Sequence, residues 1–319
     1  VPYEKLSDYK FFEGEMKDQK PSYGVIPYEP ASALFTDYAE KKRFIWLPKN
    51  TKATYDADGK VLELPVGAAL IKTFYYDRVQ PSNTTKIIET RVMIRKATGW
   101  IFAEYLWNEG QTDALLQDGG STIPITWIDA NEVTKSTNYR VPSEAECFTC
   151  HHIGETVMPI GIKPQNLNWN YAYASGSQNQ LEKLIDFGYL EDSLPENIVS
   201  TVNYTDTTKP LELRARSYFD SNCAHCHQDG GHAQVYALRF AFSMTEDRHN
   251  MGVCVSYSHF VPGFEGRLVT PGDPSRSMVY YRLITDETNL MMPYLGRTIE
   301  HEEAASLVAE WINSVTDCP

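Results

Sequence analysis

Hydrophobic and polar residues alternate along much of residues 1–140, with a period of two that is typical of β-strands. The clearest run is 86–96, where Ile88 and Val92 share one face and Glu89 lies on the other. Further strands are predicted at 43–47, 61–64, 68–76, 100–107 and 123–128. Turn residues separate these runs, and Asp58-Gly59 is a hairpin turn signal. This region is therefore predicted to form an antiparallel β sandwich or barrel.

From about residue 141 the pattern favours helices. Ser143 and Glu146 have the spacing of a capping box, which predicts a helix beginning at this point. Further helices are predicted at 178–187, 211–223, 274–284 and 301–315. Residues 191–210 are polar and contain two prolines, so they are expected to form a linker. The pattern predicts an α+β chain with a β-rich domain at 1–140 and two small, mainly α-helical domains at 141–210 and 211–319.

Composition narrows the classes of function. The chain has 319 residues and is 42% hydrophobic and 22% charged, which is ordinary for a globular protein with two or three domains. Its 29 basic and 42 acidic residues give a formal net charge of −13, so nucleic acid is not an expected partner. The charge instead favours steering towards a partner with a basic docking patch. Because no apolar run reaches the length of a bilayer, no membrane span is predicted.

The strongest chemical signal is the pentapeptide Cys-x-x-Cys-His, which occurs at 147–151 and again at 223–227. Two thiols three positions apart can each form a thioether to one porphyrin edge, and the adjacent histidine then lies under the iron. The pattern therefore predicts two covalently bound haem c groups. The predicted attachment residues are Cys147, Cys150, Cys223 and Cys226, and the predicted proximal iron ligands are His151 and His227.

Other interpretations of this pentapeptide exist. A single copy is compatible with a redox dithiol, with half a zinc site, or with a surface histidine beside a disulfide. Two copies, each with its histidine in place, favour haem attachment over all three.

Two cysteines lie outside the motifs. Cys254 and Cys318 are predicted to form a disulfide, with two buried free thiols as the alternative. Haem c is attached outside the cytoplasm, where disulfides persist. The chain begins at Val1 without methionine, as expected of a mature exported protein. We therefore expect a periplasmic or extracellular, cell-envelope location after removal of a signal peptide.

Residues 211–319 resemble a class I cytochrome c domain, in which a haem motif on a first helix is followed by a Met-Pro loop and a terminal helix. The resemblance implies that Met292 is the distal ligand of the second haem, because a thioether is a soft ligand for haem iron. Met291 is the neighbouring competitor. The alternative is that both methionines only pack against the haem face.

The distal ligand of the first haem is less defined. Met158 begins another Met-Pro pair seven residues after His151, a distance that an extended chain can just span around a porphyrin edge. Met158 is the predicted ligand, followed by His249 or His259. A five-coordinate iron with an open position is a further alternative.

Short runs along nearly the whole chain resemble one family, the bacterial two-haem c-type cytochromes that are often encoded beside a parallel β-helix protein. These runs are Tyr3-Glu4-Lys5-Leu6-Ser7, Leu34-Phe35-Thr36-Asp37-Tyr38-Ala39, Trp107-Asn108-Glu109, Pro159-Ile160-Gly161, Asn166-Leu167-Asn168, Met291-Met292-Pro293 and His301-Glu302-Glu303. The resemblance implies an exported electron-transfer protein, with redox proteins and a parallel β-helix protein as candidate partners.

One-electron transfer between redox partners is the leading hypothesis for function. The rival is a dihaem peroxidase acting on hydrogen peroxide at an open haem site. The spacing of the motifs and the 146 residues that precede the first one are unlike that class. A third hypothesis, compatible with electron transfer, is that the β-rich domain docks the chain onto a partner. The pattern favours an electron carrier over a catalyst.

Overall fold

A computed structural model describes residues 1–258 and 261–319. The chain divides into two compact units, each assembled from three separate segments. Unit 1 comprises Val1–Glu29, Tyr38–Phe148 and Val157–Ile198. Unit 2 comprises Pro30–Asp37, Thr149–Thr156 and Val199–Pro319.

Strands dominate the first two thirds of the chain, and the helices begin at residue 144. The strands are β1 (Phe12–Glu13), β2 (Lys20–Pro21), β3 (Ile26–Pro27), β4 (Glu40–Trp46), β5 (Ala69–Val79), β6 (Thr84–Lys96), β7 (Gly99–Trp107), β8 (Ala114–Gln117), β9 (Ser121–Ile128), β10 (Thr134–Val141), β11 (His152–Ile153), β12 (Thr156–Val157), β13 (Asn170–Tyr173) and β14 (Gly176–Asn179). The helices are α1 (Glu144–Cys150), α2 (Pro164–Leu167), α3 (Gln180–Asp186), α4 (Leu211–Asn222), α5 (Met278–Ile284) and α6 (Glu302–Ser314). Short 3₁₀ turns lie at Leu6–Tyr9, Met16–Asp18 and Pro274–Arg276.

The main feature of unit 1 is an eight-stranded antiparallel sheet. Its central path runs β10-β9-β5-β6-β7-β8, and off this path β4 pairs with residues 69–75 of β5 and β3 pairs with β4. Ile71 on β5 is in register with Val92 on β6, and Val92 is in register with Ala103 on β7. This row of apolar residues fixes which face of each strand points towards the core.

Apolar cores cover both faces of this sheet. One core contains Ile71, Val92 and Ala103, and the other contains Leu70 and Met93 from the opposite face. Glu89 and Met93, on the expected polar face of β6, are consequently buried. Glu89 is buried together with partners that offset its charge, since an unpaired buried charge is costly.

Those partners form a buried polar cluster, composed of Glu89, Arg91, Glu104 and Tyr139. The carboxylate of Glu89 is fully buried and accepts hydrogen bonds from Arg91 Nε at 2.9 Å and from the Tyr139 hydroxyl at 2.5 Å. Glu104 lies opposite Arg91 on the neighbouring strand and is 6% exposed. Burial raises the pKa of Glu104 to about 9, and the nearby negative charge of Glu89 adds to this effect. Glu104 therefore keeps its proton at neutral pH.

Unit 2 is organised around α4, α5 and α6. Tyr218 and Phe219 of α4 pack with Val308 and Trp311 of α6 in a single apolar core. Much of the remaining chain in this unit is irregular, and its loops are joined by backbone hydrogen bonds. Cys254 and Cys318 lie at disulfide distance, with their Cα atoms 5.6 Å apart.

The expected fold class is wrong, because two small, mainly α-helical haem domains do not follow the β-rich region. The described residues form a β-rich chain with an eight-stranded sheet and six short helices. Leu167 of α2 and Leu184 of α3 pack in the same core as Ile45 of β4. These helices have four and seven residues, too few to bury a core of their own, and they therefore pack with strand residues instead.

Several local expectations are confirmed. The strands predicted at 43–47, 68–76, 86–96, 100–107 and 123–128 correspond to β4, β5, β6, β7 and β9. Residues 61–64 form only an isolated bridge, between Thr54 and Glu63. In the described residues, no helix has the length and apolar character needed to cross a bilayer.

Candidate functional site

The first Cys-x-x-Cys-His motif is carried by α1, which includes Cys147 and Cys150 and ends just before His151. The capping box that predicted this helix is present. The Ser143 N–H donates to Glu146 Oε2 at 2.7 Å, and the Glu146 N–H donates to Ser143 Oγ at 3.4 Å. These bonds satisfy two of the free N–H groups at the start of the helix.

The second motif follows the end of α4. The carbonyl oxygen of Cys223 accepts hydrogen bonds from the N–H groups of Cys226 and His227, at 3.2 and 3.0 Å. These bonds close a tight turn that fixes the spacing of the two thiols and the imidazole. Local backbone structure alone thus holds the motif in a compact arrangement.

A cavity of about 260 Å³ lies beside this second motif, within unit 2. The cavity is lined by groups suited to iron and to haem attachment, namely the His227 imidazole, the Cys223 thiol and the Met292 thioether. Its walls are largely apolar, and they include Phe219, Leu238, Phe240, Leu268, Met278 and Leu283. Concave apolar sites with a few polar or ligating groups are typical of cofactor sites.

The ionisation of His227 suits a metal ligand. Burial lowers the pKa of His227 to about 4, and the charges of His225 and Arg239 lower it further. The ring is therefore neutral at neutral pH and retains a lone pair for coordination. Its Nδ1 atom is buried and has no hydrogen-bond partner among the described residues. This neutral imidazole, together with the thiol and the thioether, fits the donor set of a c-type haem.

The loop that carries Met292 is anchored by its backbone. The Met292 N–H donates to the carbonyl oxygen of Arg282 at 2.8 Å. Further along, the guanidinium of Arg297 donates to the carbonyl oxygens of Leu283 and Thr285, both at 2.5 Å. These bonds satisfy free carbonyl groups at the end of α5 and tie the loop to that helix.

A second anchor holds the end of the same loop. The buried carboxylate of Asp37 accepts hydrogen bonds from the Thr298 N–H at 2.6 Å, from the Thr298 hydroxyl at 2.8 Å and from the Ile299 N–H at 3.2 Å. Of the two adjacent methionines, Met292 lines the cavity and Met291 does not. The loop therefore presents one particular thioether to the cavity.

Residues of the two motifs also meet within unit 2. Cys150 Sγ lies 3.8 Å from Cys226 Sγ. The ligand atoms of Cys150, His225 and Cys226 all lie within 4.8 Å of one another. The hydrogen bond from Cys226 lowers the pKa of Cys150 to about 4, and the same interaction raises the pKa of Cys226. The Nδ1 atom of His225 is also buried, beside this pair.

The distal ligand of the first haem stays a prediction. Met158 is half-buried, directly after β12 in unit 1, and His151 is half-buried in unit 2. His249 is exposed and does not line the cavity described above. His259 lies outside the described residues.

His301 has a structural environment rather than a ligating one. Its ring is buried, with Nε2 3.0 Å from the Tyr204 hydroxyl and Nδ1 3.3 Å from the Tyr218 hydroxyl. The ring of Phe35 stacks on it at a centroid distance of 4.0 Å.

Comparison with protein-family models, with curated proteins and with solved structures finds no match for this chain.

Proposed function

We propose that this chain is an exported c-type cytochrome that carries two covalently bound haems and transfers single electrons between redox partners. Cys147, Cys150, Cys223 and Cys226 attach the haems, and His151 and His227 are the proximal ligands. When bound, haem supplies an iron centre that accepts and releases one electron at a time.

The cavity beside the second motif is the observation that carries this proposal. Met292 is 65 positions after His227 in the sequence, yet it lines the same apolar space as Cys223 and His227. A redox dithiol or a zinc site has no use for a thioether and a large apolar wall. Haem would make use of all of these features, because its ring is apolar and its iron accepts imidazole and thioether ligands.

The remaining features concern compartment and partners. A disulfide between Cys254 and Cys318 is part of the proposal, and their disulfide distance suits an oxidising compartment such as the periplasm or the cell envelope. The net charge of −13 favours redox partners that present a basic docking patch. The resemblance described above makes a parallel β-helix protein a candidate partner.

The test is expression of the chain with an export signal in a host that attaches haem c. We expect the intact mass to exceed that of the polypeptide by two haems, with a Soret band and the reduced-state visible bands of haem c. A mass equal to that of the polypeptide alone, or a protein without a Soret band, would refute the proposal.

Matched variants assign each haem to its motif. Replacing Cys147 and Cys150 with alanine, or Cys223 and Cys226 with alanine, should each remove one haem from the intact mass. Met158 is proposed as the distal ligand of the first haem, and Met158→Ala should change the spectrum of the variant that retains only that haem. An unchanged spectrum would exclude Met158 as a ligand.

A further inference from the structure

We infer that Cys150 and Cys226 hold the attachment edges of the two haems close together, so that electrons pass between the haems with only these two cysteine sulfurs between them. This inference rests on the proposed function. Its basis is the distance of 3.8 Å between the two Sγ atoms, which is van der Waals contact for sulfur. The two cysteines belong to different motifs, 76 positions apart.

The chemistry of attachment converts this contact into haem proximity. Each cysteine sulfur of a c-type haem is bonded to a former vinyl carbon, and that carbon is bonded to the conjugated ring. Only one carbon atom therefore separates each sulfur from its ring. Two such sulfurs in contact require the two ring edges to be close, whichever way the remaining parts of the haems extend.

The contact is supported by the backbone around it. The Gly154 N–H, just after the first motif, donates to the carbonyl oxygen of Gly230, just after the second, at 2.8 Å. Gly230 has a φ of +76°, and a Cβ atom on it would lie 2.9 Å from both Gly154 N and Ile153 Cγ2. A residue without a side chain is required for the two segments to approach this closely. The thiol contact is thus one part of a packed interface within unit 2.

The expected electron step is balanced without another reactant. If haem is bound at both motifs, the electron given up by ferrous iron at one motif would be the electron accepted by ferric iron at the other, so the two oxidation states would exchange. Electrons entering at either motif can then leave at the other. The chain would therefore act as one conduit rather than as two independent carriers.

The experiment is circular dichroism in the Soret region on the full chain with both haems attached. Two chromophores in contact couple their transitions, so we expect a pair of bands of opposite sign. Neither single-haem variant, with the cysteines of one motif replaced by alanine, should have this pair. A second measurement on the fully oxidised protein is the ferric electron paramagnetic resonance signal, which should differ from the sum of the two single-haem signals.

A variant that leaves every proposed haem ligand and attachment residue intact tests the packing directly. Gly230→Ala places a Cβ atom against Gly154 and Ile153, and it should remove most of the paired Soret signal while two haems remain in the intact mass. Gly14→Ala is the control, because Gly14 has the same φ of +76° but open space around it. That variant should keep the wild-type signal.

The outcomes separate this inference from the proposed function. An intact mass without two haems refutes the proposed function. If two haems are attached but the dichroism and resonance signals equal the summed signals of the two single-haem variants, the contact alone is refuted. An unchanged paired signal in Gly230→Ala, in a variant that otherwise folds as the wild type does, also counts against the contact.

Discussion

Replacing Glu104 with glutamine tests how the buried polar cluster of unit 1 depends on pH. Burial raises the pKa of Glu104 from 4.5 to about 9, so the folded protein keeps a proton that the unfolded chain loses. Between these values the folded state binds more protons than the unfolded state. The free energy of unfolding must therefore fall as pH rises through this window, and the loss is complete above the folded pKa.

The size of the effect follows from proton linkage. One proton of difference costs about 1.4 kcal/mol of unfolding free energy per pH unit. Between pH 6 and pH 8, which both lie inside the window, Glu104 should cost the wild type about 2.7 kcal/mol. Water screens this carboxyl group very little, because Glu104 is only 6% exposed. Glutamine cannot ionise, and it has nearly the same size and shape as the protonated carboxyl.

The assay is urea unfolding of both proteins at pH 6 and pH 8, followed by the far-ultraviolet signal of the sheet. The wild type should lose more unfolding free energy between these two pH values than Glu104→Gln does, and the difference isolates this one group from all others that titrate. Equal losses in the two proteins would mean that Glu104 is ionised in the folded state, and the explanation of the cluster would be wrong.

The remaining predictions concern unit 2. Met292→Ala should abolish the methionine-to-iron charge-transfer absorbance of the oxidised protein, whereas Met291→Ala should retain it; a band that survives in both variants would exclude Met292 as a ligand. Changing Cys254 and Cys318 together to serine should lower the free energy of unfolding by about 4 kcal/mol in urea titrations, because the cross-link closes a long loop, with a sequence separation of 64. An unaltered urea midpoint would indicate that the two sulfurs are not bonded. Asp37→Asn should destabilise the chain by about 2 kcal/mol, since it removes the charge from several hydrogen bonds; a loss below the error of the titration would show that these bonds contribute little.

Local sequence signals predicted much of the strand structure and the positions of both motifs. The alternation in β6 fixed which residues share a face, because side chains in a strand have a strict period of two. It did not predict that Glu89 is fully buried. Alternation suggests that one face of the strand is exposed to solvent, and it cannot show that a second apolar core covers that face. The prediction that the helices form two small domains was wrong for a similar reason. Whether Leu167 packs with helices or with strands depends on distant residues.

In the candidate site, too, local features were predicted and contacts between distant residues were not. The spacing within each motif is local chemistry and can be identified from five residues. Met292 could be suggested through a resemblance, but its place on one cavity wall with His227 depends on the loop anchored by Arg297. The contact between Cys150 and Cys226 had no sequence signal at all.

The discontinuous make-up of unit 2 has a consequence for biogenesis. Synthesis reaches Phe35 and Cys150 long before it reaches Val199, yet both residues belong to a unit whose core lies after that point. The nascent chain must keep these early segments available until the last helix emerges, when Phe35 can stack on His301. A premature stop near the carboxyl terminus would therefore leave defects almost three hundred residues upstream.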